Sequence, residues 1–108
     1  MKQIDRFYLF GAGDYGQEFC EKMSSKIDIL GFIDNDTTKQ GKNLCNKMVY
    51  GLTDIEKNID NSMGIIITVS PSLQLLIEEQ LIKTPYIAKS QIFTMKTFME
   101  TYMLYYEG

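Results

Sequence analysis

The feature that most constrains this chain is Gly11-Ala12-Gly13-Asp14-Tyr15-Gly16, a GxGxxG run set between two differently patterned segments. Before it, Arg6 to Phe10 reads RFYLF, a short apolar and aromatic run of the kind that forms a strand buried on both faces of a sheet. After it, Tyr15, Phe19 and Met23 recur at i, i+4 and i+8 with Cys20 beside them, which predicts a helix of about three turns. In that setting Gly11 makes the tight turn, Gly13 clears space for a phosphate, and Gly16 lets helix approach strand. Residues 27–33 (IDILGFI) form the next apolar run, closed by Asp34-Asn35-Asp36. Asp34 falls 18 residues after Gly16, near the spacing of an acid that accepts hydrogen bonds from a ribose. A tight turn alone would also use the three glycines. The order strand, glycine turn, helix, strand, acid is what raises the run to a candidate nucleotide site.

The remaining chain extends the alternation. Residues 34–43 read as a polar loop, and Met48-Val49-Tyr50 as at most a short edge strand. Thr53-Asp54-Ile55-Glu56 has the form of a capping box, predicting a short helix to about Ile59. The β-branched stretch 65–69 (IIITV) reads as a central strand. Ser70 then caps a helix whose first position is Pro71 and whose apolar stripe is Leu73, Leu76, Ile77 and Leu81. Ile92-Phe93 predicts a last strand, and Met95, Phe98, Met99, Tyr102, Met103 and Tyr106 follow a helical period. The fold class expected is α/β: one Rossmann-like domain over residues 1–108, with an open, mostly parallel sheet of about four to five strands and helices on both faces.

Composition removes chemistry. With no histidine, the chain has no imidazole base, no Ser-His or Cys-His nucleophile pair and no His-containing metal site of its own. Cys20 and Cys45 stand 25 residues apart without a CxxC, which is no zinc spacing; they read as a core thiol and a loop thiol. Calcium is rejected as well, since the run from Asp34 and Asp36 lacks the closing glutamate of a calcium loop. Eleven basic against fourteen acidic residues, a net −3 with Arg6 the only arginine, argue against a nucleic-acid partner. No stretch reaches the roughly 20 apolar residues of a membrane span. A cytoplasmic protein with reduced thiols is the expectation.

Two further groups bear on the site. Asp14, at the start of the first helix, is placed to cap its free N–H groups, and there it would compete with and repel a phosphate. Thr68, Ser70 and Ser72 surround the carboxyl end of the central strand, where their hydroxyls could meet a base or sugar, although a helix cap explains Ser70 equally. At the C-terminus, Tyr102, Tyr105 and Tyr106 cannot all face one core, so the Met- and Tyr-rich last helix is a candidate surface for a homodimer or for a separate catalytic domain.

Taken together, FGAGDYG at Phe10 to Gly16, GFIDND at Gly31 to Asp36, KQGK at Lys39 to Lys42, YG at Tyr50-Gly51 and IIITVS at Ile65 to Ser70 resemble the Rossmann-like module of bacterial surface-polysaccharide proteins. Similar modules form the N-terminal nucleotide-sugar-binding domain of UDP-amino-sugar N-acetyltransferases and occur in sugar epimerase, dehydratase and transferase chains. The resemblance implies a ligand site on Gly11, Gly13, Gly16, Asp34, Asp36 and Ser70; Asp14 and Tyr15 at the helix start join them as candidate binding residues, and a UDP-sugar is the candidate ligand ahead of NAD. The acetyltransferases it resembles continue into a hexapeptide-repeat β-helix with a catalytic histidine, and this chain has neither. The leading expectation is thus a nucleotide- or nucleotide-sugar-binding module without catalytic residues of its own. An NAD(H)-binding domain of an oxidoreductase or redox sensor is the alternative, and an interaction or dimerisation domain with a vestigial pocket the third.

Overall fold

The structure, a computed structural model, describes residues 3–103. Its elements are β1 (Arg6–Phe10), α1 (Asp14–Met23), β2 (Asp28–Ile33), β3 (Asn43–Leu44), β4 (Lys47–Tyr50), β5 (Met63–Ile67), α2 (Pro71–Ile82), β6 (Ile92–Thr94) and α3 (Met95–Phe98). One six-stranded sheet has the order β3-β4-β2-β1-β5-β6. Every pairing is parallel except β3 with β4.

Successive side chains of a strand point to opposite faces, and because both faces are covered, β1 after Arg6 and all of β5 carry only apolar or aromatic residues. Phe7, Leu9 and Ile66 enter one core with Phe19, Cys20, Met23 and Phe98. Tyr8, Phe10, Ile65 and Ile67 enter a second core with Ile55, Ile77 and Leu81. The sheet divides the molecule into two cores, with α1 and α3 on one face and α2 on the other, so the α/β reading with helices on both faces holds. Each fully buried Phe or Ile contributes roughly 1.5–3 kcal/mol, which makes β1 and β5 the strands the fold can least spare.

Six strands rather than four to five form because the segment read as a loop and an edge contains a hairpin. Cys45 and Asn46 connect β3 to β4, both at positive φ (53° and 59°). A two-residue turn with that backbone matches the right-handed twist of paired strands. The capping box expected at Thr53 is displaced by two residues. Asp54 Oδ2 accepts from the Gly51 N–H at 2.8 Å, and the chain makes only a 3-10 turn over Leu52–Ile55.

α2 starts where expected, with Pro71 in its first turn, but the Ser70 hydroxyl lies 3.1 Å from the Ser72 hydroxyl and caps no helix N–H. Its stripe is also narrower than predicted. Ile77 and Leu81 are buried, whereas Leu73 and Leu76 are 48% and 63% exposed. The helix carries apolar residues on every side, so periodicity could not choose the inward face; contact with β5 and β6 did. In α1 the same correction applies to Tyr15, which is 47% exposed while Phe19, Cys20 and Met23 are buried.

The C-terminal segment departs from the 3.6-residue period. α3 is one turn, and the coil widens to a π-helix over Met99–Met103. The buried pair is therefore Phe98 and Met103, five residues apart. Tyr102 stacks on Phe98 (centroids 5.2 Å, planes 22° apart), and Phe7 meets both rings edge-on at 5.1 and 5.4 Å. Tyr105 and Tyr106 lie outside the described residues. Among the described residues no helix is long and apolar enough to cross a membrane.

Candidate functional site

β1 pairs with β2 on one side and β5 on the other. The chain leaves β1 outward through β2 and β4, then returns to β5, so the connections diverge at the carboxyl ends of β1 and β5. In open parallel sheets ligands bind at this kind of switch point. Gly11 stands there at φ +122°, and a Cβ on it would lie 2.7 Å from the Thr68 carbonyl and from Val69 Cγ1. A Cβ on Gly16 would lie 1.8 Å from the Gly11 carbonyl. These two glycines let the first turn of α1 press directly against the strand ends.

Thr68 reinforces the contact rather than facing a ligand. It is buried, its N–H donates to Phe10 O at 2.9 Å, and its hydroxyl donates to Gly11 O at 3.0 Å. The expectation that this hydroxyl would touch a base or sugar is thereby corrected. Ser70, partly buried, and Ser72, exposed, are the hydroxyls left at that strand end.

At the start of α1, Gly13 occupies the cap position in extended conformation, and among the described residues no side chain caps the helix. Asp14 is in the first turn and exposed, but its carboxylate does not bond the free N–H groups as its position suggested. The first turn therefore presents open N–H donors and the positive end of the dipole toward the crevice. The Ala12 N–H is already taken. It donates to Asp34 Oδ2 at 2.9 Å, while the Asp36 N–H donates to Asp34 Oδ1 at 2.8 Å. Asp34 thus ties the glycine turn to the end of β2. An ionised carboxylate has about four acceptor positions, so a ribose hydroxyl could add to these bonds without displacing them.

The other predicted residues divide. Asp36 accepts from the Thr38 hydroxyl and N–H at 2.6 and 2.9 Å. Those bonds hold its carboxyl below the usual range, and the ammonium groups of Lys39 and Lys42 act in the same direction. Asp36 shapes its own loop. The Tyr15 side chain lines a groove with Glu18, Phe19, Lys22 and Met95. Gly11, Gly13, Gly16 and Asp34 are brought together at the turn, with Ser70 beyond β5.

Two features escaped the sequence reading. The Lys39 nitrogen stands 3.8 Å from where a Cβ on Gly13 would be; the only sequence signal was the KQGK run. Asn35 and Gln80 exchange two amide hydrogen bonds, at 2.8 and 3.0 Å, joining the loop after β2 to α2 across 45 residues of chain. No local pattern announces such a pair. The thiols behave as read, with Cys20 buried and Cys45 partly buried, both free. Burial first, and then the hydrogen bond with Cys45, push the Cys20 thiol up to about 12.

A cavity of about 510 Å³ opens at the opposite edge of the sheet, lined by Gln3, Asp5, Lys26, Asp28 and Tyr102 among others. It adjoins the amino ends of β1 and β2, away from the edge where such sheets hold ligands, so the glycine crevice is the candidate site.

The sheet order, the crossover helices and the glycine turn define a Rossmann-like α/β domain. Residues 3–93 match the family C2185-like, N-terminal, and the chain belongs to that family. Among solved structures it is similar to UDP-D-quinovosamine 4-dehydrogenase from Vibrio fischeri, at 17% identity and a TM-score of 0.63, over 94% of this chain and 86% of that one. It is also similar to RSP, a Rex-family repressor, solved in complex with beta-NADH, at 16% identity and a TM-score of 0.58. That match covers 97% of this chain and 62% of the repressor chain. At such identities the likeness is one of fold. No curated protein matches the chain.

Proposed function

We propose that this domain is a nucleotide- or nucleotide-sugar-binding module serving a sugar-modifying or surface-polysaccharide enzyme, with the catalytic groups supplied by another polypeptide segment. The observation that carries this reading is the uncapped N-terminus of α1, pressed against the carboxyl ends of β1 and β5 by Gly11 and Gly16. Backbone N–H groups of that turn donate to phosphate oxygens, and Asp34, at the end of β2, accepts from a ribose hydroxyl. The polysaccharide-protein resemblance of its motifs and the fold likeness to a UDP-sugar dehydrogenase favour a UDP-sugar.

The second reading is NAD(H) binding for an oxidoreductase or redox sensor. It is favoured by the acid at the end of β2 and by the fold likeness to a repressor crystallised with NADH. Thermal shift and calorimetry with UDP, a UDP-sugar, NAD, NADP and coenzyme A separate the two. Saturable UDP-sugar binding supports the first, and NAD binding abolished by Asp34→Ala supports the second. No stabilisation by any of the five, together with a stable dimer in light scattering, would replace both with an interaction domain.

A further inference from the structure

We propose that Lys39 is the phosphate-gripping residue of the glycine crevice, closing its ammonium onto the diphosphate of a nucleotide seated over Gly13. This rests on the nucleotide-binding reading above and specifies the charge that makes it workable.

The first turn of α1 is electrostatically contradictory. The helix dipole offers about half a positive charge at its N-terminus. Asp14 places a full negative charge in the same turn, and it is not consumed by capping. Dipole and carboxylate together leave the turn net negative, which would turn a diphosphate away. Adding the Lys39 ammonium reverses the sign.

The loop is built to hold the Lys39 backbone in place. The Lys39 N–H donates to Asp36 O at 3.0 Å, and its carbonyl accepts from the Lys42 N–H at 3.3 Å. On the next residue, Gln40 Nε2 donates to the Asp34 carbonyl at 2.8 Å. These bonds fix the backbone on both sides of Lys39 while its side chain, partly buried, reaches to 3.8 Å from the Cβ position of Gly13. Among the described residues no carboxylate forms an ion pair with it; the pairs present are Arg6 with Asp5 and Asp60, and Lys22 with Glu18. Gly13 matters here because any side chain would occupy the space between the ammonium and the helix N–H groups. Asp36, the nearest acid along the loop, bonds Thr38 through Oδ1 and attracts the Lys39 ammonium without forming an ion pair with it.

Calorimetry tests this with UDP and ADP as probes, uridine and adenosine as their uncharged counterparts, and Lys39→Met, Lys39→Arg and Lys42→Met as variants. A charge-assisted contact predicts that Lys39→Met weakens the bound diphosphate by about tenfold or more. The nucleoside affinity stays the same, Lys39→Arg retains most of the binding, and the affinity falls less steeply with salt in Lys39→Met than in the wild type. Lys42→Met leaves the diphosphate affinity near that of the wild type, and Asp14→Asn raises it. If the wild type binds UDP or ADP and Lys39→Met matches it in affinity and salt dependence, the role of Lys39 is overturned and the nucleotide reading stands. If the wild type binds neither probe, both fall. Equal unfolding midpoints of wild type and Lys39→Met confirm that the loss is one of binding.

Discussion

The two long helices occupy equivalent places. α1 follows β1 and α2 follows β5, both strands are parallel, and both helices begin at the same edge of the sheet. They begin differently. α1 is brought in by glycines until a single Cβ on Gly16 would collide with the Gly11 carbonyl, and its first N–H groups stay open. α2 begins with Pro71, which removes one of those N–H donors, and no glycine draws it onto the strand end. One helix start keeps its first N–H groups and lies against the strand end, and the other gives up a donor to proline, so the topology places both starts at one edge and local residues decide how each is built.

The sharpest way to break this comparison is Gly16→Ala. The new methyl meets backbone at 1.8 Å, so α1 must move, at a cost on the order of 3 kcal/mol or more. Gly13→Ala serves as its control, because its methyl meets only the Lys39 nitrogen at 3.8 Å; its stability in urea stays within about 1 kcal/mol of wild type. On α2, Ile77→Ala loses about 2–4 kcal/mol. Leu76→Ala, at 63% exposure, changes the same urea midpoint by roughly 0.5 kcal/mol or less. Equal losses at the two positions would mean that α2 packs by the face its periodicity suggested.

Asp34→Ala strips the acceptor from the Ala12 and Asp36 N–H groups. The expected loss is about 2 kcal/mol, accompanied by faster amide exchange at Ala12. If Asp34→Ala abolished binding with no change in either, Asp34 would act on the ligand alone.

Alkali sharpens the contrast from the α1 side. Cys20 has its thiol raised to about 12 in the folded state, above its unfolded value of roughly 8.5. Its contribution is complete below the unfolded value and is lost as the pH rises through the folded one. Tyr8, Tyr86 and Tyr102, raised chiefly by burial, act in the same direction. The unfolding free energy should decline from about pH 9 upward, and Cys20→Ala should flatten the decline. The smallest effect is Ser70→Ala. A working cap is worth about 1 kcal/mol, but this hydroxyl bonds only Ser72, and the loss should stay within a few tenths in a thermal melt.

Much of the fold was legible because strands buried on both faces and a glycine turn leave local marks. RFYLF and IDILGFI each became a strand of the central sheet, and the strand read over 65–69 formed two residues earlier, over Met63–Ile67, leaving Thr68 and Val69 in the turn beyond it. The hairpin was not legible, since Cys45 and Asn46 lack the Asn-Gly signature and take positive φ without it. The face of α2 was illegible for the opposite reason, a surplus of apolar residues on every side. At the site, Gly11, Gly16 and Asp34 could be named from spacing. Lys39 over Gly13 and the Asn35–Gln80 pair arise only when distant segments meet.

By itself the sequence determined the α/β order, the glycine turn after β1 and the acid after β2, because each depends on residues within one or two turns of chain. Only the tertiary structure decided that Asp34 braces the turn, that Thr68 is spent on Gly11, and that the start of α1 stays open beneath a lysine. Those outcomes depend on which hydrogen-bonding and charged groups converge across the sheet edge, and separation along the chain carries no record of that.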